Sequence, residues 1–218
     1  MSKYRTLASL GLSCQSAHQL ARIADQEDAL TFSKGPFDWL ICPPASLVNW
    51  LDAGLPGFER DELHLHRGKV YWSRFDFWFW HGFHVKNGER KTIDIDAAFD
   101  REREKLAYQK RVFSNLSPQT TIFLISNTQN NLSTDVFLSH ETERFHFHPE
   151  NLAKVQRSLS RYFAMPAKLF CISRADRWSG NRNIEIPHTA IKFQQTETSE
   201  WKGDDAQWTA GFNSFDLK

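Results

Sequence analysis

Read from the amino terminus, the apolar positions fall first into a short block, Thr6-Leu7-Ala8-Ser9-Leu10. Past Gly11 they change to a three-to-four spacing at Ala17, Leu20, Ala21 and Ala24. The block predicts a strand within Tyr4 to Leu12 and the spacing a helix from Gln15 to Ala24, with Ser13 placed to cap it. A second helix is predicted from Pro43-Pro44 through Leu51, because proline suits a first helical turn and Gly54 and Pro56 then end the run. Leu63 to Val85 is strand-like and crowded with rings, in Lys69-Val70-Tyr71-Trp72 and again from Phe75 to Val85, and reads as one hairpin or two short strands. Ile93 to Leu116 returns to helical spacing with a densely charged outer face and stops before Pro118.

The second half alternates. Thr120 to Ser126 and Ala167 to Ser173 are nearly continuous apolar runs of the kind buried on both faces of a parallel sheet, and the amphipathic stretch Pro149 to Phe163 lies between them. Ile184-Glu185-Ile186 and Ala190 to Phe193 read as edge strands, and the tail from Trp201 to Phe215 as a turn at Gly203-Asp204 followed by a short helix. This order predicts one α/β domain over 1–218, a layered α/β/α sheet that is mostly parallel with added antiparallel aromatic strands. The alternative is a papain-like α+β arrangement. In a parallel sheet, function gathers at the carboxyl ends of the strands, where Cys14, Asn127 and Arg174 fall.

Composition changes this picture in three ways. Eight tryptophans and eighteen phenylalanines among 218 residues predict a ring-rich core and make ring-lined clefts plausible. Lysine and arginine total 27 against 26 acidic residues, a net charge of +1, which excludes the strong field that nucleic acid or an anionic membrane would require. No signal peptide and no run of about eighteen apolar residues is present, so a cytoplasmic location is expected. The three cysteines, Cys14, Cys42 and Cys171, lack CxxC spacing and fit a reducing compartment.

Cys14 is the candidate nucleophile. It follows Gly11-Leu12-Ser13 at the start of a helix, where backbone N–H groups and the helix dipole favour a thiolate. Burial under the turn is the competing explanation, since free cysteine is among the most buried residue types. Cys171 lies in an apolar run and reads as core, and Cys42 has nothing near it that resembles a base. A thiolate attacking a carbonyl needs an imidazole and a group to orient that imidazole. His81, at the end of the aromatic run, is the first choice, with His84 beside it; Asp204, Asp205 and Asn127 qualify by type as the third member. The pairs His64/His66 and His146/His148 have strand spacing that suits a metal, but no third ligand stands at a recognisable distance, so no metal is expected. The glycines form neither GxGxxG nor a P-loop, and no cofactor is implied.

The elements Ser9-Leu10-Gly11-x-x-Cys14-x-x-Ala17-x-x-Leu20 and Gly35-Pro36-Phe37-Asp38-Trp39 resemble those of a bacterial family of uncharacterised domains described as papain-like cysteine peptidases. His81-Gly82-Phe83 and Trp201-x-Gly203-x-Asp205-x-x-Trp208 extend the likeness from Leu7 to Trp208. The resemblance implies Cys14 as nucleophile, His81 as its partner and Asp205 as third member, with Phe37, Asp38 and Trp39 shaping a cleft. Gly82 stands where the family has Asp, and Ser126-Asn127 where it ends a strand with Arg. The expected function is a cysteine-dependent hydrolase or acyl transferase acting on an amide or ester bond of a peptide, acyl or glycan substrate. The alternatives are an SGNH-like esterase with cysteine as nucleophile on a flavodoxin-like sheet, and a non-catalytic glycan- or peptide-binding module using the aromatic run.

Overall fold

The computed structural model describes residues 3–129, 139–180, 185–191 and 201–217. Its first unit is β1 (Thr6–Ser9), α1 (Cys14–Gln26) and β2 (Thr31–Ser33). An excursion follows through β3 (Leu40–Ile41), α2 (Pro44–Asp52), β4 (Leu63–His66), β5 (Lys69–Trp72) and β6 (Phe77–Phe79), then the hairpin β7 (His84–Asn87) and β8 (Arg90–Ile93). The chain then alternates through α3 (Ile95–Ser114), β9 (Thr121–Ser126), α4 (Pro149–Tyr162), β10 (Leu169–Arg174) and β11 (His188–Ile191), and reaches α5 (Asp205–Asn213).

Five strands form one sheet in the order β11-β10-β9-β1-β2, and every neighbouring pair is parallel. Numbered by sequence within the sheet, this is the 2-1-3-4-5 order of flavodoxin-like folds. Helices alternate with parallel strands rather than segregating, so the α/β/α layering holds and the α+β alternative does not. The two buried runs explain the layers. Ile122 and Leu124 of β9 and Phe170 and Ile172 of β10 join a core with Leu20 and Ile23 of α1 and Trp208 and Phe212 of α5. Their alternating neighbours Phe123, Ile125, Leu169 and Cys171 face the other way, against Trp50 of α2, Phe113 of α3 and Val155 of α4.

The second sheet is antiparallel, in the order β3-β6-β5-β4, and it holds the aromatic excess. Trp50, fully buried, meets Phe37, Trp72 and Phe77 edge to face, and its Nε1 donates to Pro56 O at 3.0 Å. Phe58 meets Trp72 and Phe79 edge to face and Phe83 at a tilt of 55°. Such rings fill the space between the small sheet and the helices, and deleting one costs about 3–5 kcal/mol.

Several predicted edges move. The first strand is shorter than Tyr4 to Leu12, because Gly11 turns the chain at φ +77° and a Cβ there would lie 3.3 Å from Phe37 O. Glu185 and Ile186 form a bend rather than an edge strand, while Ile184 and Phe193 lie outside the described residues. Among the described residues no helix is long and apolar enough to cross a membrane.

Candidate functional site

In a 2-1-3-4-5 sheet the strand order reverses between the first and third strands, and ligands bind in the crevice beyond their carboxyl ends. Here those strands are β1 and β9, so the crevice is bounded by Gly11–Cys14 on one side and Asn127–Gln129 on the other. Cys14 is the first residue of α1 and only 1% exposed. Its backbone N–H and the Lys69 ammonium favour the thiolate, but burial outweighs both and pushes the thiol up to about 11. The helix start therefore does not make Cys14 a resting thiolate. Cys42 lies under the Gly11 turn, 3.6 Å from where a Gly11 Cβ would be, and Cys171 lies in β10; burial raises both thiols further.

Ser13 occupies the capping position, yet its side chain caps nothing and its Oγ has no hydrogen-bond partner. The Gln15 N–H instead donates to Gln129 Oε1 at 3.1 Å, across 114 residues. Thr128 adds a second tie through its hydroxyl to Gln15 Oε1. The strap 126–129 is fixed from beneath by Arg177, 3% exposed, whose guanidinium donates to the carbonyls of Asn127 and Gln129 at 2.6 Å each. Burial lowers this group to about 10, which still leaves it charged at neutral pH. Asn127 donates to Phe145 O and Arg177 O and accepts from Arg174 N. Its amide is thus occupied by backbone and is not available to orient an imidazole.

His81 follows β6 and is exposed, with its ring edge-on to Trp39 at 5.8 Å. Desolvation, followed by Lys69 and other cations, lowers its pKa. Lys69 of β5 thus acts on both Cys14 and His81; its ammonium lies 4.2 Å from the Trp80 ring. Cys14 Sγ forms no hydrogen bond to an imidazole among the described residues. Asp205 stands elsewhere. Its carboxylate accepts from Gln19 Nε2 at 2.8 Å and pairs with Arg22 at 3.3 Å, and the histidine whose titration it affects is His18, one helical turn beyond Cys14. His18 packs edge-on against Trp201 at 5.2 Å. Asp204 caps α5 through the Gln207 N–H at 2.9 Å.

Of the three residues expected to shape a cleft, only Trp39 reaches the surface, at 39% exposure. It borders a shallow depression with Pro36, Phe79, Gly82, Glu102 and Lys105. Phe37 is core, against Trp50 and Phe113. Asp38 is buried, one carboxylate oxygen accepting from Gly35 N at 2.9 Å and the other unpartnered, and burial raises it to about 7. Among the described residues no three His, Cys, Asp or Glu side chains gather as a metal site. Sequence reasoning passed over Lys69, His18, Gln129 and Arg177. Lys69 was signalled only by its alternation with the buried Val70 and Trp72, and His18 by its spacing of four from Cys14; Gln129 and Arg177 carry no local signal.

Fold and site together define a layered α/β protein with a buried thiol at the switch point of its parallel sheet. Set against family models, curated proteins and solved structures, the chain gives no significant match in any of the three comparisons.

Proposed function

We propose that the chain is a cysteine-dependent hydrolase or acyl transferase acting on an amide or ester carbonyl, with Cys14 as nucleophile. The observation that carries this reading is the position of Cys14, at the first residue of α1 directly beyond β1, where the sheet order reverses. The flavodoxin-like order favours the esterase-like form of the reading over the papain-like one. Because burial keeps the thiol neutral at rest, the chemistry requires general-base assistance. As sulfur bonds to the carbonyl carbon, its proton passes to an imidazole and then to the departing amine or alkoxide. Water or an acceptor nucleophile then takes the acyl group from the thioester. The developing oxyanion replaces Gln129 Oε1 on the Gln15 N–H, with Lys69 adding positive potential.

His81 is the first choice for the base, since its lowered pKa keeps it neutral and able to accept a proton. His18 is the second, because it shares a helix with Cys14 and Asp205 acts on it. The test is acetylation by p-nitrophenyl acetate, followed by intact-protein mass spectrometry and nitrophenol release. Cys14→Ala should abolish the acyl adduct, and removing the operative imidazole should slow turnover by about 10²–10⁴-fold. Retention of turnover in Cys14→Ala, or an adduct on another residue, would remove Cys14 as the nucleophile, and the absence of both adduct and turnover in the wild type would leave the binding-module reading in its place.

A further inference from the structure

A groove away from Cys14, between the amino-terminal ends of α2 and α4, has a volume of about 610 Å³. That is the size of a small-molecule site. Pro44, Ser46 and Asn49 line it from α2, and His148, Asn151 and Lys154 from the start of α4. The opposite ends of the same helices meet at a second depression lined by Leu51, Asp52, Arg161 and Tyr162, where Arg161 pairs with Asp52 at 3.0 Å. The two helices therefore run parallel, and both positive dipole ends open on the groove.

The charged walls add to that polarity. Arg74, Arg144 and Lys154 face Asp76 and Glu143. Asp76 is already engaged, by the Tyr71 hydroxyl at 3.1 Å, by the Ser46 hydroxyl at 3.5 Å and by Arg144. Arg74 commits one guanidinium nitrogen to Glu62 at 3.3 Å and Arg144 one to Asp76, which leaves further N–H donors on each. Lys154 has no partner among the described residues. His148 accepts from the Asn151 N–H through Nδ1, leaving Nε2 to face a ligand. The first turn of α2 has neither a side-chain cap nor an acidic residue, whereas the start of α4 is closed by the His148–Asn151 capping box and carries Glu150, so α2 supplies the open helix start. The uncommitted polar groups, Glu143 apart, are thus donors or can act as donors, and Pro43, Pro44, Val48 and Phe75 supply an apolar strip beside them.

From this convergence of cations, the open start of α2 and an apolar strip in one cavity, we infer that the groove binds a small phosphomonoester whose phosphate faces Lys154 and the arginines while its apolar group lies on the proline and phenylalanine surface. The inference does not depend on the chemistry of Cys14. Phenyl phosphate is the probe, titrated into the ¹⁵N-labelled full chain, with inorganic phosphate and benzoate as separate arms. Saturable shifts should appear at the Ala45, Ser46 and Asn151 amides. Lys154→Glu, at an exposed residue with no intramolecular partner, should weaken Kd by at least about tenfold, the effect of one lost charge contact, and Arg74→Ala should also weaken it. Inorganic phosphate should bind the same amides more weakly. Absence of saturable shifts with phenyl phosphate, or an unchanged Kd in Lys154→Glu, overturns the site. Benzoate binding as tightly as phenyl phosphate overturns the assignment of phosphate.

Discussion

Cys14 gives the sharpest quantitative expectation. A thiol that ordinarily titrates at 9.0 is raised to about 11 because burial outweighs the stabilising backbone N–H and Lys69. At pH 8 that leaves roughly one molecule in a thousand as thiolate, against about one in ten for the unperturbed group. Alkylation of the native protein by iodoacetamide should therefore be about a hundredfold slower than alkylation of the urea-unfolded chain, before steric protection slows it further. The assay is site-resolved mass spectrometry of labelled peptides between pH 7 and pH 10. Cys42 and Cys171, both fully buried, report labelling through opening of the whole fold and supply the correction for that route. The corrected Cys14 rate should climb about tenfold per pH unit with no plateau, and Lys69→Met should lower it at every pH. A plateau below pH 8, or parity with the unfolded chain, would show a resting thiolate and refute the argument that burial dominates.

Two further outcomes follow from other buried or coupled groups. Asp38 titrates near 7 when folded and near 3.8 when unfolded, so its retained proton stabilises the fold at acid pH and that contribution is lost as pH rises from about 4 to 7. The difference caps the loss at about 4 kcal/mol, and Asp38→Asn should gain on the wild type in urea midpoint between pH 4.5 and 7.5; a constant gap would contradict this. Asp205→Ala removes acceptors from Gln19 and Arg22 at a largely exposed site and should cost about 1 kcal/mol in urea unfolding. In the same variant the His18 pKa, followed by NMR, should fall, because Asp205 is the group that raises it; an unmoved His18 would break the link between the two.

The parallel strands and most helices were legible because a core buried on both faces writes itself as an unbroken apolar run, and an amphipathic helix as a three-to-four spacing. The site was legible only at Cys14. Its surroundings come from β5, from the strap after β9 and from the turn after β10, and nothing local in Lys69, Gln129 or Arg177 marks their convergence. The predicted thiolate failed for a related reason. A helix dipole can be read from sequence, but the depth at which Cys14 is buried depends on how the rest of the fold closes over it.

The closing element Trp201-x-Gly203-x-Asp205-x-x-Trp208 has a mechanical explanation that the sequence did not suggest. Gln15 Nε2 donates to Trp201 O at 2.9 Å, Gln19 Nε2 to Lys202 O at 2.7 Å, and Arg22 to Asp205 O and the Thr209 hydroxyl at 3.0 and 2.8 Å, so one polar stripe of α1 is tied to 201–209 from end to end. Gly203, at φ +83°, passes so close that a Cβ would lie 2.7 Å from Gln15 Nε2. The element therefore holds the helix that begins with Cys14, and Asp205 has work to do there whatever its effect on His18. A Cβ on Gly82 would lie 3.2 Å from Phe79 Cβ, which leaves little room for a side chain there, and beyond the end of β9 the guanidinium of Arg177 lies directly beneath the strap. Positive charge at this end of the sheet is thus carried by the turn after β10, and it acts by fixing the backbone that delivers Gln129 to the helix start beside Cys14.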